Sequence, residues 1–226
     1  MGKLRRRSSD LLLFTLFGLA MLIEVGLITF QQWRGVTSHF NRATPFDAAV
    51  LAWIESLIIF ATVVIFEVTR RSFQQLPTSS DMTLAIRGGM GLLCLSCLLG
   101  FVQVVHGNRQ IAQGLPPEIF GEAGVMKFMH GAPMHAIQIL PILAWTLKRM
   151  NMAEDQRLRA VACTLASVVG LTIFSLLQTF TGRARFDIWW MSGIVLLLSV
   201  GLLMVPTWIA LGSVNRRTVD NREMTR

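Results

Sequence analysis

Six stretches of apolar residues, each long enough to cross a lipid bilayer, constrain this chain more than any other feature. They lie near residues 11–30, 48–68, 88–106, 129–147, 160–180 and 188–211, and no polar run interrupts them. About 20 apolar helical residues span the hydrocarbon core of a membrane. Because 53% of the residues are hydrophobic and the mean hydropathy is +0.54, the chain is too apolar for a soluble domain. The sequence therefore predicts an all-α, polytopic membrane protein with six transmembrane helices.

The first apolar stretch is predicted to remain as a helix and not to be removed as a signal peptide. Its apolar run is too long, and no small-residue cleavage site follows it. We expect a single six-helix transmembrane domain over residues 1–212 and a polar cytoplasmic tail over residues 213–226.

Lysine and arginine are distributed unevenly between the two ends of the predicted helices. Fifteen of the 21 lie in the two terminal tails and in the loops after the second and fourth helices. Positive charges flanking membrane spans are retained in the cytoplasm, so we predict that both termini are cytoplasmic. The net charge of +8 reflects this orientation and an attraction to the lipid bilayer. No pattern of basic and aromatic residues predicts nucleic-acid binding.

The three cysteines do not predict a disulfide framework. Cys94 and Cys97 form a C-x-x-C within the third apolar stretch, where small residues at this spacing favour close helix packing over redox or metal chemistry. Thr44 and Pro45 predict the start of the second helix, with Asp47 as its cap.

The fourth apolar stretch contains polar residues that a lipid-crossing helix usually avoids. His135 and Gln138 are three residues apart and therefore share a helix face. Pro133 either begins the helix or kinks it, and Pro141 is predicted to bend it. The simplest structural interpretation places His130 in an interfacial loop and His135 in a contact between helices. For a single histidine this structural interpretation is favoured, although an ionisable group inside a membrane is by default a candidate functional residue.

Polar residues are concentrated in the outer half of the predicted helices. They comprise the four histidines and five candidate buried residues: His39, His106, His130, His135, Glu24, Glu55, Gln103, Gln138 and Gln178. Because polar groups within a membrane face each other or water, this pattern predicts a polar cavity that opens outward. The long loop between the third and fourth helices is a candidate roof over it.

Imidazoles and carboxylates are the ligands that zinc, copper, iron and haem prefer. His106 and His135 on facing helices would hold the iron of haem b from both sides, whereas three ring nitrogens with Asp47 or Glu55 would suit a catalytic zinc ion. The candidate metal ligands are His39, Asp47, His106, His130 and His135. The candidate cofactor-binding residues are His106, His130, His135 and Gln138. Glu55 and Glu24 are the candidate catalytic acid–base or counter-charge groups.

Two sequence elements resemble a family of bacterial multi-pass inner-membrane proteins. The first contains Arg34-Gly35, Ser38-His39-Phe40-Asn41 and Thr44-Pro45-Phe46-Asp47, in the pattern RGxxSHFN…TPFD. The second is HxxxxHAxQxLP, from His130 to Pro141, and His106 matches a histidine that ends the preceding helix. The resemblance covers roughly residues 24–187 and implies the topology, the bacterial inner membrane and the site residues. It does not imply a reaction. The family's Gly-Asp-Leu-Arg run before the second element is replaced here by Gly124-Val125-Met126-Lys127.

The leading hypothesis is an integral inner-membrane protein that binds a metal ion or haem at an outward-facing site. Its natural substrates would be quinones or lipids of the outer leaflet, although the sequence does not decide whether the protein is an enzyme. Two alternatives stay open. One is a proton-coupled transporter, in which the glutamates and histidines carry protons. The other is a non-catalytic subunit or assembly factor that contacts partner membrane subunits or a second copy of itself.

Overall fold

The computed structural model describes residues 8–74, 76–117 and 123–224, with side chains from residue 10 to residue 212 within these ranges. These residues form seven α-helices. They are α1 (Ser8–Trp33), α2 (Pro45–Ser72), α3 (Ser80–Ala112), α4 (Met126–Met134), α5 (Ala136–Arg149), α6 (Glu154–Phe180) and α7 (Trp190–Met224). Apart from one bridge between Ala123 and Ala184, the described residues contain no β-structure. The predicted all-α class is confirmed for this part of the chain.

Five helices within the described ranges are long and apolar enough to cross a membrane. They are α1, α2, α3, α6 and the part of α7 up to Gly212. The predicted fourth span is instead divided between α4 and α5, which His135 separates. The helices extend beyond the apolar stretches that predicted them. The 33 residues of α3 measure about 50 Å at the usual helical rise, so its ends extend past the hydrocarbon core.

The chain divides into two compact units, which are described separately. The first unit ends at Val68 and contains α1 and most of α2; the second begins at Thr69 with the last turn of α2 and contains the remaining helices. The tail predicted for residues 213–226 belongs to the second unit. The backbone of α7 continues into it as far as Met224, while its last two residues lie outside the described ranges.

Helix α1 of the first unit buries few of its side chains. Only 6% of its most apolar window is buried, compared with 44% for α6 in the second unit. Its exposed residues are mainly leucine, isoleucine, valine and phenylalanine. In water this surface would cause aggregation, whereas hydrocarbon solvates it. The exposure pattern is therefore typical of a helix that contacts lipid.

The start of α2 is fixed by a reciprocal contact between Thr44 and Asp47. The Thr44 Oγ1 accepts the Asp47 backbone N–H at 3.1 Å and donates to the Asp47 Oδ2 at 2.6 Å. Thr44 thereby satisfies an unpaired amide of the first turn, as the capping residue of a capping box does, while the Asp47 carboxylate returns to the Thr44 hydroxyl. The helix begins where the sequence predicts, but Thr44 and not Asp47 is the capping residue.

The second unit has a core of small and aliphatic residues between α3, α5 and α6. Its fully or nearly buried members are Ala85, Leu92, Ala136, Leu140, Ala144, Val161 and Val168. Gly89 of α3 lies against the start of α5, since a Cβ added there would lie 2.7 Å from the Ile137 Cα. In a membrane, such close backbone approach provides much of the association energy between helices. Small residues therefore determine which helices are neighbours in this unit.

A buried ion pair joins the starts of α3 and α6. The Asp81 carboxylate, with 1% of the residue exposed, accepts from the Arg157 Nε at 2.9 Å and from its Nη2 at 3.2 Å. The Arg157 Nη1 also donates to the Met152 carbonyl at 2.7 Å. Beside this pair, the Glu154 carboxylate accepts the Ser80 backbone N–H at 2.9 Å. These contacts link two helix starts that are more than 70 residues apart in sequence.

The end of α2 is attached to α3 by Arg87. Its Nε donates to the Ser72 carbonyl at 2.9 Å, and its Nη2 donates to the Gln74 carbonyl at 3.0 Å. A cation at a helix C-terminus also complements the helix dipole. Nearby, the Cys94 thiol lies 3.1 Å from the Thr69 hydroxyl and forms no disulfide. This contact supports the predicted packing role of Cys94.

We predict that Arg157→Met lowers the free energy of unfolding by roughly 3 kcal/mol, because it leaves the buried Asp81 carboxylate without its partner. The double variant Asp81→Leu/Arg157→Met should lose less than Arg157→Met alone, since it leaves no unpaired charge. Reversible unfolding in mixed micelles measures both values. A double variant less stable than the single one would contradict this account of the pair.

Candidate functional site

The fourth apolar stretch contains a helix break in the second unit. Pro133 lies at the end of α4 and Pro141 lies inside α5. Neither residue has a backbone N–H, so each leaves one carbonyl of the preceding turn without its helical partner. His135 occupies the residue between the two helices. The predicted kink near Pro133 is therefore present as a break at His135, two residues after Pro133. The predicted bend at Pro141 stays a prediction.

His135 and Gln138 form an exposed pair at this break. The His135 Nδ1 lies 2.8 Å from the Gln138 Oε1, so the predicted shared face brings the two side chains into contact. Because an amide oxygen can only accept, Nδ1 donates, and in the neutral ring Nε2 then carries the lone pair. That nitrogen makes no hydrogen bond with the described residues. Metal-binding histidines are commonly oriented in this way by an oxygen that accepts from the other ring nitrogen.

His130 is used differently, as a contact between α3 and α4. Its Nδ1 donates to the Ser96 carbonyl at 2.7 Å, while the Ser96 hydroxyl donates to the His130 carbonyl at 2.8 Å. Gly100 provides space for the ring, because a Cβ there would lie 3.0 Å from the His130 Cε1. The interpretation of His130 as a loop residue and His135 as the helix contact is therefore wrong. His130 lies in a helix and joins two helices, and His135 is exposed.

His106 lies two turns before the end of α3 and is exposed. Its ring makes no hydrogen bond or ion pair with the described residues. Gln103, one turn earlier, is half-buried. Helix α3 continues to Ala112, so His106 does not end the helix as expected. Part of the predicted roof, residues 118–122, lies outside the described ranges.

In the first unit, the segment from Gln31 to Asp47 forms a polar turn that we call the α1–α2 corner. The Arg34 Nη1 donates at 2.6 Å both to the Asp47 Oδ1 and to the Gln31 Oε1. The guanidinium carbon lies 5.6 Å from the centroid of the Phe30 ring and 5.0 Å from that of Phe46. Both oxygens of the Asp47 carboxylate are therefore engaged within the corner, one by Arg34 and one by the capping threonine.

The other predicted site residues of the first unit have separate surroundings. The His39 Nδ1 lies 3.0 Å from the Ser38 hydroxyl. The Glu55 carboxylate lies 3.7 Å from the Arg42 guanidinium, and both side chains are more than a third exposed. Glu24 is half-buried and makes no hydrogen bond or ion pair with the described residues.

Gln178, expected to line the predicted cavity, instead holds the loop between α6 and α7. The residue is fully buried, and its Nε2 donates to the Ala184 carbonyl at 2.8 Å and to the Asp187 carbonyl at 3.0 Å. The adjacent Thr179 hydroxyl donates to the Val125 carbonyl at 3.1 Å. These contacts connect the end of α6 to the residue before α4. The role of Gln178 that the structure supports is to order these loops.

No three histidine, cysteine, aspartate or glutamate side chains lie close enough together to hold one metal ion within the described residues. The five candidate metal ligands are thus not brought together as one group, and their function stays a prediction. Sequence reasoning missed Ser96 and Gly100, which position His130, and the role of Arg34 as the centre of the corner. In the sequence, Ser96 and Gly100 stand out only as two small residues four positions apart, a spacing that places them on one face of α3.

Comparisons of the chain with protein-family models, with curated proteins and with solved structures find no match. The geometry of the site is therefore the basis for the functional proposal.

We predict that Gly100→Ala destabilises the protein relative to Gly91→Ala by about 1–3 kcal/mol, the usual range for overpacking. A methyl group at Gly100 would displace the His130 ring, whereas a Cβ at Gly91 of the same helix meets nothing within 4 Å. The gain in helix propensity is the same for both. Thermal unfolding in detergent compares them. Equal stability would show that the His130 ring does not pack against Gly100.

Proposed function

We propose that this chain is a six-span protein of the bacterial inner membrane, with both termini in the cytoplasm, that binds haem or a transition-metal ion through His135. The observation that carries the proposal is the exposed His135 ring. Its Nδ1 is held by Gln138, and its Nε2 has no partner among the described residues.

The six-span topology is supported by the combined length of α4 and α5. They cover residues 126–149, about 36 Å of helix if they run end to end, which is enough to cross the hydrocarbon core. The last turn of α5 contains Lys148 and Arg149, and the last turn of α2 contains Arg70 and Arg71. Both ends therefore have the charges that retain a helix end in the cytoplasm. On this topology, His135 lies in the outer half of the membrane.

The depth of His135 in the membrane favours a histidine that binds a ligand over one that is exposed without a function. Polar side chains within a membrane are costly unless they face other polar groups, water or a bound molecule. The pair with Gln138 satisfies only one of the two ring nitrogens. The contact with Gln138 leaves the lone pair of Nε2 available. An iron, copper or zinc ion, which is a Lewis acid, would accept that lone pair.

Haem suits this geometry because haem iron needs only one or two side chains from the protein. When bound, a haem would provide one-electron redox chemistry. The residues of this chain would hold its iron at His135 and orient that ring through Gln138. The sequence predicted His106 as the second axial ligand, but Gly89 of α3 packs against Ile137. His106 lies 17 residues further along the same helix, about 25 Å at the helical rise, so it is too far from His135 to hold the same iron. Three predicted ligands are less favoured, because each already makes hydrogen bonds that would have to break or rearrange on metal binding. They are His39, Asp47 and His130.

The predicted substrates, quinones or lipids of the outer leaflet, agree with a site at this depth. Glu24 and Glu55 lie in the first unit, and their predicted acid–base roles do not depend on the histidine site. Glu24 makes no hydrogen bond or ion pair with the described residues, so it is the better candidate for proton transfer within its own unit. Glu55 lies near Arg42 and is better suited to act as a counter-charge.

We predict that the protein purified in mild detergent contains haem or a near-stoichiometric metal ion, and that His135→Ala loses it. Gln138→Leu should weaken binding about 10- to 100-fold, the usual effect of removing a group that orients a ligand. Gln138→Glu, which keeps an oxygen at the same place, should retain binding. Absorption spectra and elemental analysis of each variant provide the measurement.

Thr146→Ala is the matched control, because it changes an exposed polar residue of α5 that hydrogen-bonds only to its own helix. It should leave the bound group unchanged. The proposal is wrong if the wild-type protein contains neither haem nor metal, or if His135→Ala retains as much as Thr146→Ala.

A further inference from the structure

Hydrogen-bond donors without partners are concentrated at the α1–α2 corner. Among the described side chains, four buried polar atoms have no hydrogen-bond partner, and two of them are the Gln31 Nε2 and the Asn41 Nδ2. Gln31 is fully buried. Buried donors in native proteins are nearly always paired with protein, water or a bound molecule. The α1–α2 corner therefore contains two amide donors that are available to water or to a bound group.

Arg34 provides further donors at the same place. Its Nη1 is occupied by Asp47 and Gln31, whereas its Nε and Nη2 make no hydrogen bond with the described residues. About a third of the side chain, 32%, is exposed. The Gln31 amide that accepts from Arg34 also carries the unpaired Nε2, so the two groups are adjacent. The guanidinium thus presents an unused donor edge beside the buried Gln31 amide, which also lies next to the Asp47 carboxylate.

The chemistry of these groups specifies the ligand. All the unpaired atoms are donors, so they match a group that only accepts hydrogen bonds. A phosphate offers several such oxygens, and its geometry fits the paired N–H groups of a guanidinium. Arg42, with 59% of its side chain exposed, adds a second guanidinium to the same turn and lies 3.7 Å from the Glu55 carboxylate. A phosphate there would therefore bind to arginines that each also face a carboxylate.

The position of the corner indicates where such a phosphate would come from. The corner connects two helices that are long and apolar enough to cross a membrane. Trp33 and Phe46 at its edge are 85% and 53% exposed. Exposed aromatic residues at the ends of membrane helices lie at the depth of the lipid headgroups. The phosphate groups of phospholipids are abundant at that depth.

We propose that the α1–α2 corner is a phosphate-binding site, with Arg34, Gln31 and Asn41 as donors. Its ligand is the phosphate of a phospholipid headgroup or free inorganic phosphate. The site lies wholly within the first unit and does not depend on the histidine site of the second.

Two substitutions test the site with little change in shape. Asn41→Asp keeps the oxygen that accepts the Ala43 N–H at 3.1 Å and replaces the unpaired donor with an acceptor. Arg34→Lys keeps the charge but loses the paired donors. Asn151→Asp is the matched control, since it makes the same chemical change in the second unit at a residue whose positive φ of 52° aspartate tolerates.

The measurement is native mass spectrometry of the delipidated full-length protein with added phosphatidylglycerol, diacylglycerol or inorganic phosphate. We expect one phosphatidylglycerol to bind to the wild type and to Asn151→Asp, with at least tenfold weaker binding to Asn41→Asp and Arg34→Lys. Diacylglycerol, which has no phosphate, should not occupy the site. Thermal unfolding of each variant verifies that it is folded.

The two sources of phosphate give different results. Binding of phosphatidylglycerol that excess inorganic phosphate does not displace identifies a lipid headgroup site. Binding of inorganic phosphate that is lost in both variants identifies a site for the free anion. The proposal is overturned if neither compound binds, if diacylglycerol binds as well as phosphatidylglycerol, or if folded Asn41→Asp and Arg34→Lys bind as tightly as the control.

Discussion

The second unit depends on how closely α3 approaches the broken fourth stretch. Hydrocarbon gives helices no hydrophobic reason to associate, so packing contacts and hydrogen bonds between helices must hold them together. Gly89 permits near-contact with the backbone at Ile137, and Gly100 permits contact with the His130 ring. Ser96, between these glycines, exchanges hydrogen bonds with His130. One face of α3 thereby fixes α4 and the start of α5, on either side of the break.

This packing separates the two histidines of the fourth stretch into different roles. His130 satisfies its Nδ1 and its carbonyl within the helix bundle, so its first function is to join α3 and α4. His135 lies at the break, where Gln138 is the one hydrogen-bond partner of its ring within the described ranges. The same division applies to the other polar residues expected to line one cavity. Gln178 orders loops, whereas the ring of His106 stays free of described partners. The predicted outward-facing cavity itself stays a prediction.

Much of the fold could be predicted from apolar stretches and from the residues that begin a helix. Both features depend only on residues that are close together in the sequence. Hydropathy predicted all the long helices, Pro133 predicted the distortion of the fourth stretch, and the Thr44–Pro45 pair predicted the start of α2. The predicted helix boundaries were too short where polar residues extend a helix past its apolar stretch. Asp81 and Arg157 thus fall outside the predicted stretches, although both lie in helices and form a buried pair. Such a pairing depends on tertiary structure, which periodicity does not contain.

The candidate site was predictable only in its local part. The spacing of His135 and Gln138 predicted their contact, since three residues along a helix is a local distance. The partner of His130 lies 34 residues away, and the arrangement around Arg34 requires the turn between two helices to be folded. Residue spacing along the chain could not reveal either.

The central claim is that α4 and α5 together cross the membrane and place His135 within its outer half. The most direct test is the location of both termini, measured by labelling single cysteines in a variant without its three native cysteines, in intact and in permeabilised cells. Cysteines near residues 4 and 220 should react only after permeabilisation, and a cysteine at the exposed Gln113 should react in intact cells. Labelling of the cysteine near residue 220 in intact cells, with that near residue 4 protected, would mean five crossings. It would contradict the account.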